Sequence, residues 1–464
     1  MFSQSDLDAL QVQLQQMREY AASQATFSYQ ARRNALLQLK QALLQNEAAI
    51  HQALYADLKK SREESWVTET GFVIAEINHT LKHLKQWMRP QRVPTNLLNL
   101  PSKSRVYKQP LGVVLIIGPW NYPLQLLFSP LVGALAAGNC VVLKPSELAP
   151  ATGALMEKLI SETFSKAHVL VVPGDGAEVV PALMNGFRFN HVFYTGSTAV
   201  GKSIYQMAAA QLTPVTLELG GKSPCVIAPD ANLNVAARRI ALTKFSNAGQ
   251  MCVAPDYVLV HRSVKEAWLQ ELKKAITEFF SDDASTSYNY GKIINARHFN
   301  RLLQYIENGT VAFGGQYNAD THYLAPTILE NVTVADAVMG EEIFGPVLPV
   351  LAYDSFDDAK SIIAKNPDPL AFYIFTESRA TEEAWLNGLS FGGGCVNNAS
   401  WHLTNPSLPF GGIGNSGIGR YHGRYSFEVF THLKAVLKTP TWFDPKVKYP
   451  PFNGKLKLFK KVIR

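Results

Sequence analysis

The sequence predicts an α/β protein with a doubly wound, Rossmann-like domain, a second α/β domain and a small β element. Three observations predict this class. Apolar runs of strand length alternate with helical stretches, the runs are continuously apolar, and only 17% of the 464 residues are charged, against a usual ~25%. Continuously apolar strands are typical of parallel sheets covered on both faces. The length suggests two or three domains.

The elements follow in a simple order. Residues 5–88 read as helices, because apolar residues recur at helical spacing and Gly and Pro are nearly absent. A loop at 90–108 leads into a short strand. The alternation then begins, with strands at 113–117, 140–143, 169–172, 192–194 and 216–219 and helices at 124–137, from 151, at 177–184 and at 199–210. A second series has strands at 225–228 and 257–261 and helices at 233–245 and 265–280, and the chain beyond 392 reads as loop-rich.

The stretch from Gln109 to Leu143 contains no charged residue and raises the question of a membrane span. A span needs an unbroken apolar run of ~20 residues, and this one is interrupted by Pro and Asn. Two buried strands around a buried helix are therefore the better interpretation. The N-terminus shows no secretory signal, and the four cysteines have no zinc spacing. We expect a reducing, cytoplasmic setting, no metal and no nucleic-acid partner.

The net charge of +7 lies in the last twenty residues. Residues 1–444 balance 37 basic against 37 acidic groups, and residues 445–464 hold seven basic residues and no acid. Residues 455–464 can form a basic amphipathic helix, which favours either peripheral contact with an anionic membrane or packing on the body or a partner subunit.

Three residues are candidates for covalent chemistry. Cys252 lies where a helix ends and a strand begins, a position that lines crevices in α/β domains, whereas Cys140 and Cys225 read as core residues and Cys395 as a loop residue. Glu218 stands in an apolar strand, either facing water or acting as a base with a raised pKa. Asn121 either caps the next helix or donates to an oxyanion.

A phosphate-binding turn is predicted at residues 195–202, because a strand precedes it and a helix follows it. The literal GxGxxG at 412–417 lacks that context and is rejected as a dinucleotide fingerprint.

Taken together, these segments resemble the aldehyde dehydrogenase superfamily over roughly residues 20–440. The resemblance rests on seven segments in the family's order: Pro119-Trp120-Asn121-Tyr122-Pro123, Lys144-Pro145-Ser146-Glu147, Tyr194-Thr195-Gly196-Ser197, Glu218-Leu219-Gly220-Gly221-Lys222, Gly249-Gln250-Met251-Cys252, Glu341-Glu342-Ile343-Phe344-Gly345-Pro346 and Pro409-Phe410-Gly411-Gly412. The short N-terminal region, Ala254-Pro255-Asp256-Tyr257 and Tyr449-Pro450-Pro451 resemble its class 3 branch, which oxidises fatty and aromatic aldehydes.

The resemblance implies catalytic roles. Cys252 would attack the aldehyde as a thiolate, Asn121 and the Cys252 backbone N–H would hold the resulting alkoxide, and Glu218 would activate the water that hydrolyses the thioester. Tyr122 and Met251 would line the substrate tunnel. The residues implied for NAD, with NADP also possible, are Trp120, Lys144, Glu147, Gly196, Ser197, Thr198, Gly201, Glu342 and Phe344. Glu147 suits free ribose hydroxyls and therefore favours NAD.

The family fold also implies a domain arrangement and a homodimer. The cofactor domain would comprise 1–87 and 109–217, the catalytic domain 218–394, a bridging and oligomerisation element 88–108 and 395–440, and the tail 441–464. Two alternatives stay open. An acylating enzyme that passes its acyl group to coenzyme A would not need Glu218, and a catalytically silent homologue would not need Cys252, Glu218 and Asn121.

Overall fold

A computed structural model describes residues 4–463. The helices of this part of the chain are α1 Gln4–Ala22, α2 Tyr29–Gln45, α3 Glu47–Leu58, α4 Arg62–Ser65, α5 Gly71–Trp87, α6 Gln125–Ala137, α7 Pro150–Thr163, α8 Gly176–Gly186, α9 Thr198–Ala210, α10 Leu233–Phe245, α11 Lys265–Phe280, α12 Ala296–Glu307, α13 Ala337–Gly340, α14 Phe356–Ile363, α15 Arg379–Gly388, α16 Arg424–Val429 and α17 Leu456–Val462.

The strands of the same residues are β1 Gln91–Val93, β2 Lys103–Pro110, β3 Val113–Ile117, β4 Cys140–Lys144, β5 Val169–Val171, β6 His191–Thr195, β7 Val215–Glu218, β8 Pro224–Ile227, β9 Tyr257–His261, β10 Thr310–Phe313, β11 Tyr317–Asn318, β12 Tyr323–Leu324, β13 Thr327–Glu330, β14 Val347–Tyr353, β15 Ala371–Phe375, β16 Gly393–Val396, β17 Gly417–Ile418 and β18 Thr431–Lys438. They form a six-stranded, a seven-stranded, a three-stranded and a two-stranded sheet.

The six-stranded sheet has the order β17-β7-β6-β3-β4-β5 and is parallel except for β17. This confirms the predicted doubly wound domain. The strand order reverses between β3 and β6, and in open α/β sheets ligands bind beyond the carboxyl ends of the strands at such a point. The segments that follow β3 and β6 therefore lie where a site is expected.

Both faces of this sheet are buried, as the continuous apolar strands predict. Val113 and Leu115 pack in one core with α1, whereas Val114 and Ile116 pack in the other with α2, α5 and α6. The alternation arises because successive side chains of a strand point to opposite faces. The uncharged stretch is likewise buried strand, helix and strand. Among the residues described, no helix is long and apolar enough to cross a membrane.

The seven-stranded sheet has the order β10-β13-β14-β9-β8-β15-β16 and is parallel except for β10. The last strand, β16, differs from the sequence prediction, which assigns Gly393–Val396 to a loop. The three glycines next to Cys395 weaken the strand signal, but pairing with β15 supplies the backbone hydrogen bonds. The structure also gives Cys395 a neighbour that the sequence does not indicate, because its Sγ lies 3.6 Å from Nδ1 of His402.

The three-stranded sheet is antiparallel and has the order β1-β2-β18, so β18 is an edge strand. Beyond it, α17 confirms the predicted helix in the tail. Its apolar side chains Leu456, Leu458 and Val462 are exposed. The tail therefore does not bury its apolar face on the described body of its own subunit, which removes one of the two forms of packing that the sequence leaves open.

Candidate active site

Two cavities meet at Cys252. The first, of about 570 Å³, lies at the carboxyl edge of the six-stranded sheet, and we call it the sheet-edge cavity. The second, of about 680 Å³, is walled mainly by apolar side chains, and we call it the apolar cavity. Cys252 contributes to the lining of both, together with Leu126, Phe410 and Tyr421. A group attached to the Cys252 sulfur can therefore be approached from two sides.

Cys252 is presented by a tight turn after α10. Asn247 and Ala248 have left-handed backbone angles, with φ of 51° and 49°, and Gly249 follows with φ of 74°. A Cβ on Gly249 would lie 2.2 Å from the carbonyl oxygen of Gly345, so only glycine fits there. The Gln250 side chain locks the turn by donating to the carbonyls of Asn247 and Lys292 and accepting from the N–H of Ile294.

Asn121 lies in the segment that follows β3. Its side-chain Nδ2 donates to the carbonyl of Gln250 at 3.0 Å, two residues before Cys252. The alternative that Asn121 caps α6 is wrong, because Leu124 occupies the N-cap position of that helix. One amide hydrogen of Asn121 is used in this bond and the second is free to donate into the sheet-edge cavity, which Asn121 lines.

A buried ion pair holds the Asn121 segment in place. Lys60 Nζ lies 2.6 Å from Glu69 Oε1 and also donates to the carbonyl of Asn121 at 3.0 Å. The other oxygen of Glu69 accepts from the backbone N–H groups of Leu124 and Gln125. A fully buried charge pair is tolerated only with such additional hydrogen bonds. The pair therefore fixes the loop that carries the amide donor.

Glu218 ends β7 and is only 3% exposed, so the alternative of a water-facing glutamate is wrong. Neither carboxylate oxygen has a hydrogen-bond partner in the described structure. Burial therefore raises the pKa of Glu218 well above its usual range. A carboxylate that is short of partners and lines the cavity beside Cys252 is suited to accept a proton.

The surroundings of Cys252 disfavour its thiolate form. Burial, followed by the negative charges of Glu342 and Glu218, raises the pKa of this thiol, while the backbone N–H groups of Cys252 and Val253 act in the opposite direction. Since the thiolate is the nucleophilic form, a base must take the proton when the thiol reacts. Glu218 lines the same cavity and has the raised pKa that this task needs.

The turn that the sequence predicts to bind phosphate forms the N-terminus of α9. Ser197 caps this helix by accepting from the N–H of Val200, and Gly196 donates to the carbonyl of Glu218. Gly196, Ser197 and Thr198 line the sheet-edge cavity, which places free helix N–H groups at its wall. Gly201 does not line it, because this glycine faces Leu219 and permits close packing of α9.

Glu342 and Phe344 also line the sheet-edge cavity. Their loop is held by Lys222, which pairs with Asp256 at 2.5 Å and donates to the carbonyl of Glu341, while Asp256 accepts from the N–H of Ile343. Burial raises the pKa of Glu342 to about 8.

A cluster of rings continues the wall of this cavity. Trp120 contacts Phe344 with ring centroids 5.2 Å apart and His298 with centroids 5.1 Å apart. His298 comes from α12, as do Arg297 and Arg301, which also line the cavity. Sequence reasoning missed these three residues. The helix carries no motif around them, and its only signal is an apolar stripe that marks the buried face.

Lys144 and Glu147 form a separate cluster at the carboxyl end of β4, outside the lining of the sheet-edge cavity. Lys144 Nζ lies 2.6 Å from Glu147 Oε2 and also donates to the carbonyl of Pro145. The same Glu147 oxygen accepts from the N–H of Gly176 at 3.3 Å. The lysine therefore compensates much of the charge of this partly exposed carboxylate.

The apolar cavity contains both residues that the resemblance assigns to a substrate tunnel, Tyr122 and Met251. Tyr122 is buried, with Lys60 Nζ 3.8 Å from its ring centre. The other apolar and aromatic lining residues are Val67, Phe72, Leu126, Leu242, Val253, Phe279, Phe280, Trp401, Leu403, Phe410 and Tyr421. These residues come from scattered parts of the chain, and most of them belong to no motif.

Comparison with known sequences matches residues 2–436 to the aldehyde dehydrogenase family. The chain is 45% identical over 440 residues to 4,4'-diaponeurosporen-aldehyde dehydrogenase of Staphylococcus aureus, covering 94% of this chain and 95% of the relative. It is 43% identical over 441 residues to the dimeric NADP-preferring aldehyde dehydrogenase of Rattus norvegicus, covering 95% and 97%.

Solved structures give the same result. The substrate-bound state of Staphylococcus aureus AldH superposes with a TM-score of 0.96 at 43% identity, covering 98% of this chain and 99% of the other. Indole-3-acetaldehyde dehydrogenase in complex with NAD⁺ superposes with a TM-score of 0.85 at 28% identity, covering 94% and 89%.

Proposed function

We propose that this chain, which belongs to the aldehyde dehydrogenase family, oxidises hydrophobic aldehydes to carboxylic acids through a covalent bond to Cys252. The observation that carries this proposal is the position of Cys252, at the junction of an apolar cavity and a cavity lined by Glu218 and Asn121. The aldehyde would enter through the apolar cavity. A nicotinamide cofactor would occupy the sheet-edge cavity.

The residues of the sheet-edge cavity fit NAD or NADP. The capped N-terminus of α9 suits a pyrophosphate, the carboxylate of Glu342 suits ribose hydroxyls, and the rings of Trp120 and Phe344 suit a planar group. A Cβ on Gly220 would lie 1.9 Å from Glu342 Oε2, so a side chain at position 220 would clash with this carboxylate. When bound, the nicotinamide supplies a hydride acceptor.

The protein groups would act in sequence. Glu218 takes the thiol proton, and the Cys252 sulfur adds to the aldehyde carbon to give a thiohemiacetal alkoxide. The second amide hydrogen of Asn121 and the backbone N–H of Cys252 hold that alkoxide. Loss of hydride from this carbon leaves a thioester on Cys252. After Glu218 has released the thiol proton to solvent, it takes a proton from water as the water attacks the thioester. It then returns this proton to the departing sulfur, which releases the acid and restores the thiol.

A hydrophobic substrate is supported by the apolar wall of the cavity. The Staphylococcus aureus relative is named for 4,4'-diaponeurosporen-aldehyde, and the proposal places this chain's substrate in the same class of aldehydes. Use of both cofactors is supported by relatives that are named as NADP-preferring or solved with NAD⁺. Because Lys144 already compensates Glu147, we expect NAD to be preferred without strict exclusion of NADP.

The test follows NADH absorbance with hexanal in the wild type and in Cys252→Ala, with and without coenzyme A. We expect acid formation that does not need coenzyme A, and loss of turnover in the variant. A requirement for coenzyme A would favour the acylating alternative, which the buried base Glu218 disfavours. No absorbance change with the wild type over a broad aldehyde panel would refute the proposal.

A cytoplasmic homodimer is proposed as the working form. Support comes from the word dimeric in the name of the rat relative and from the edge strand β18, on which Leu433, Val436 and Leu437 are exposed. An edge strand with apolar side chains is a ready surface for another chain. Sedimentation at several concentrations tests the dimer, and Leu437→Lys should weaken it.

Peripheral membrane contact through residues 455–464 is proposed for the tail. Its apolar side chains and its lysines are both exposed, and a basic amphipathic helix can lie on an anionic surface. Deleting 452–464 should weaken binding to anionic vesicles and leave turnover of a small aldehyde intact. Unchanged vesicle binding would refute the membrane contact, and loss of the dimer would show that the tail packs on a partner subunit.

A further inference from the structure

The apolar cavity has an unbalanced set of charges. Its lining includes three glutamates, Glu63, Glu64 and Glu278, and none of the lining residues that the structure describes is Lys or Arg. An aldehyde in this cavity can therefore meet carboxylates without meeting a cation. Which of the three acids carries an effective charge depends on their partners.

Two of the three acids are compensated or solvated. Glu278 pairs with Arg238 at 2.5 Å, and both side chains are about half exposed. Glu63 is exposed, and its carboxylate accepts from the hydroxyl of Tyr288 at 2.7 Å. Water screens charges in such positions, so neither acid acts strongly on a molecule inside the cavity.

Glu64 differs from both because it is part-buried and forms no ion pair among the described residues. Its Oε1 accepts from the backbone N–H of Asn247 at 2.8 Å, which places the carboxylate against the turn that carries Cys252. Burial raises the pKa of Glu64, and the positive charge of nearby Lys60 and the hydrogen bond from Asn247 act against that rise. Lys60 makes its own contacts with Glu69, the carbonyl of Asn121 and the ring of Tyr122.

We propose that Glu64 sets the charge specificity of the apolar cavity by excluding aldehydes that carry an anionic group. An anionic group in the cavity would lose its hydration, find no Lys or Arg, and lie close to a carboxylate in a medium of low dielectric constant. Neutral aldehydes meet none of these penalties. This inference rests on the proposed function, since it names the substrate class of the same cavity.

The test compares succinic semialdehyde with its methyl ester. The two share a chain and an aldehyde but differ in charge, and the short chain keeps the distal group inside the cavity. The quantity measured is the ratio of kcat/KM for the ester to kcat/KM for the anion. Any general effect of a substitution on the chemistry of Cys252 cancels in this ratio.

The variant is Glu64→Gln, whose amide oxygen can still accept from Asn247 and keep the turn in place. The matched control is Glu63→Gln, which removes the same charge one residue earlier from an exposed position. We expect the wild type to favour the ester by about 100-fold, Glu64→Gln to reduce this preference by about tenfold, and Glu63→Gln to change it less than about twofold.

An equal rate with ester and anion in the wild type, an unchanged ratio in Glu64→Gln, or an equal loss of preference in both variants would overturn the assignment. If the proposed function itself is wrong, the result differs, because neither the ester nor hexanal then yields NADH. The wild-type rate with the ester thus separates the two failures.

Discussion

The two cavities that meet at Cys252 are built in different ways. The sheet-edge cavity is made by strand ends, a helix N-terminus and a loop fixed by the Lys222–Asp256 pair. It is lined by the buried carboxylate of Glu218 and the part-buried carboxylate of Glu342. The apolar cavity is made by side chains from helices and loops, with aromatic and aliphatic groups as most of its wall.

This difference suggests that one cavity carries the catalytic groups and the other selects the aldehyde. The groups that can move a proton or hold an oxyanion lie on the side of the sheet, where the backbone supplies rigid positions. The groups that decide which aldehyde enters lie on the other side, where contacts are mostly apolar and each contributes little. Substitutions in the sheet-edge cavity should therefore change the rate greatly, and those in the apolar cavity should change the preference among aldehydes by a smaller factor.

The largest effect is expected for Glu218→Gln. Removing the base should lower steady-state kcat by about 10²–10⁴-fold, because thiol deprotonation and thioester hydrolysis both lose their proton acceptor, and the size of any first burst of NADH shows which of the two steps slows more. In the wild type, activity should fall as the pH falls through the raised pKa of Glu218, since a protonated carboxyl cannot accept a proton. Rapid-mixing absorbance over a pH series measures both.

The variant should lack this acid limb of the pH profile. An unchanged kcat would contradict the role of Glu218, and a slow first turnover without a burst would place its main role at the thiol proton rather than at the water.

A smaller loss is expected for Asn121→Ala. Removing one oxyanion donor typically costs ~10²–10³ in kcat, and the KM for NAD should change little. Thermal unfolding of the variant is the control. Its unfolding temperature should stay close to that of the wild type, because the Lys60–Glu69 pair still holds the surrounding loop through backbone contacts. A loss of activity that only follows a loss of folded protein would show a structural role for Asn121 instead.

Glu147→Gln tests whether the Lys144–Glu147 cluster contacts the bound cofactor, as proposed above. The substitution leaves Lys144 uncompensated, so affinity for a 2′-phosphate should rise, and the NADP:NAD ratio of kcat/KM should increase by about tenfold. Steady-state kinetics with each cofactor measures this ratio. The kcat with NAD should stay within about twofold of the wild-type value. An unchanged NADP:NAD ratio would indicate that the adenosine ribose does not bind beside Glu147.

The smallest effect is expected for Met251→Thr in the apolar cavity. Loss of a flexible apolar side chain should change relative kcat/KM for short and long aldehydes by about 3- to 10-fold, with no change in the KM for NAD. A chain-length series measures it. A large change in the KM for NAD would contradict the conclusion that the apolar cavity and the sheet-edge cavity act independently.

Much of the fold could be predicted because its strands are long apolar runs between clear helices. Strand β3, strand β9 and helices α10 and α11 have the predicted bounds. Strand β16 could not be predicted, because glycines give no β signal and its pairing partner β15 is about twenty residues earlier in the chain. Edge pairing of this kind depends on contacts that are distant in sequence.

The sequence by itself determined the order of elements, the nucleophile candidate and the turn at Ser197, because each depends on neighbours along the chain. Only the tertiary structure decided that Glu218 is buried without partners and that Glu64 supports the turn before Cys252. It also decided that Lys60 holds the carbonyl of Asn121, sixty-one residues away. Burial and charge balance depend on what the rest of the chain packs around a residue, and a local pattern does not contain that information.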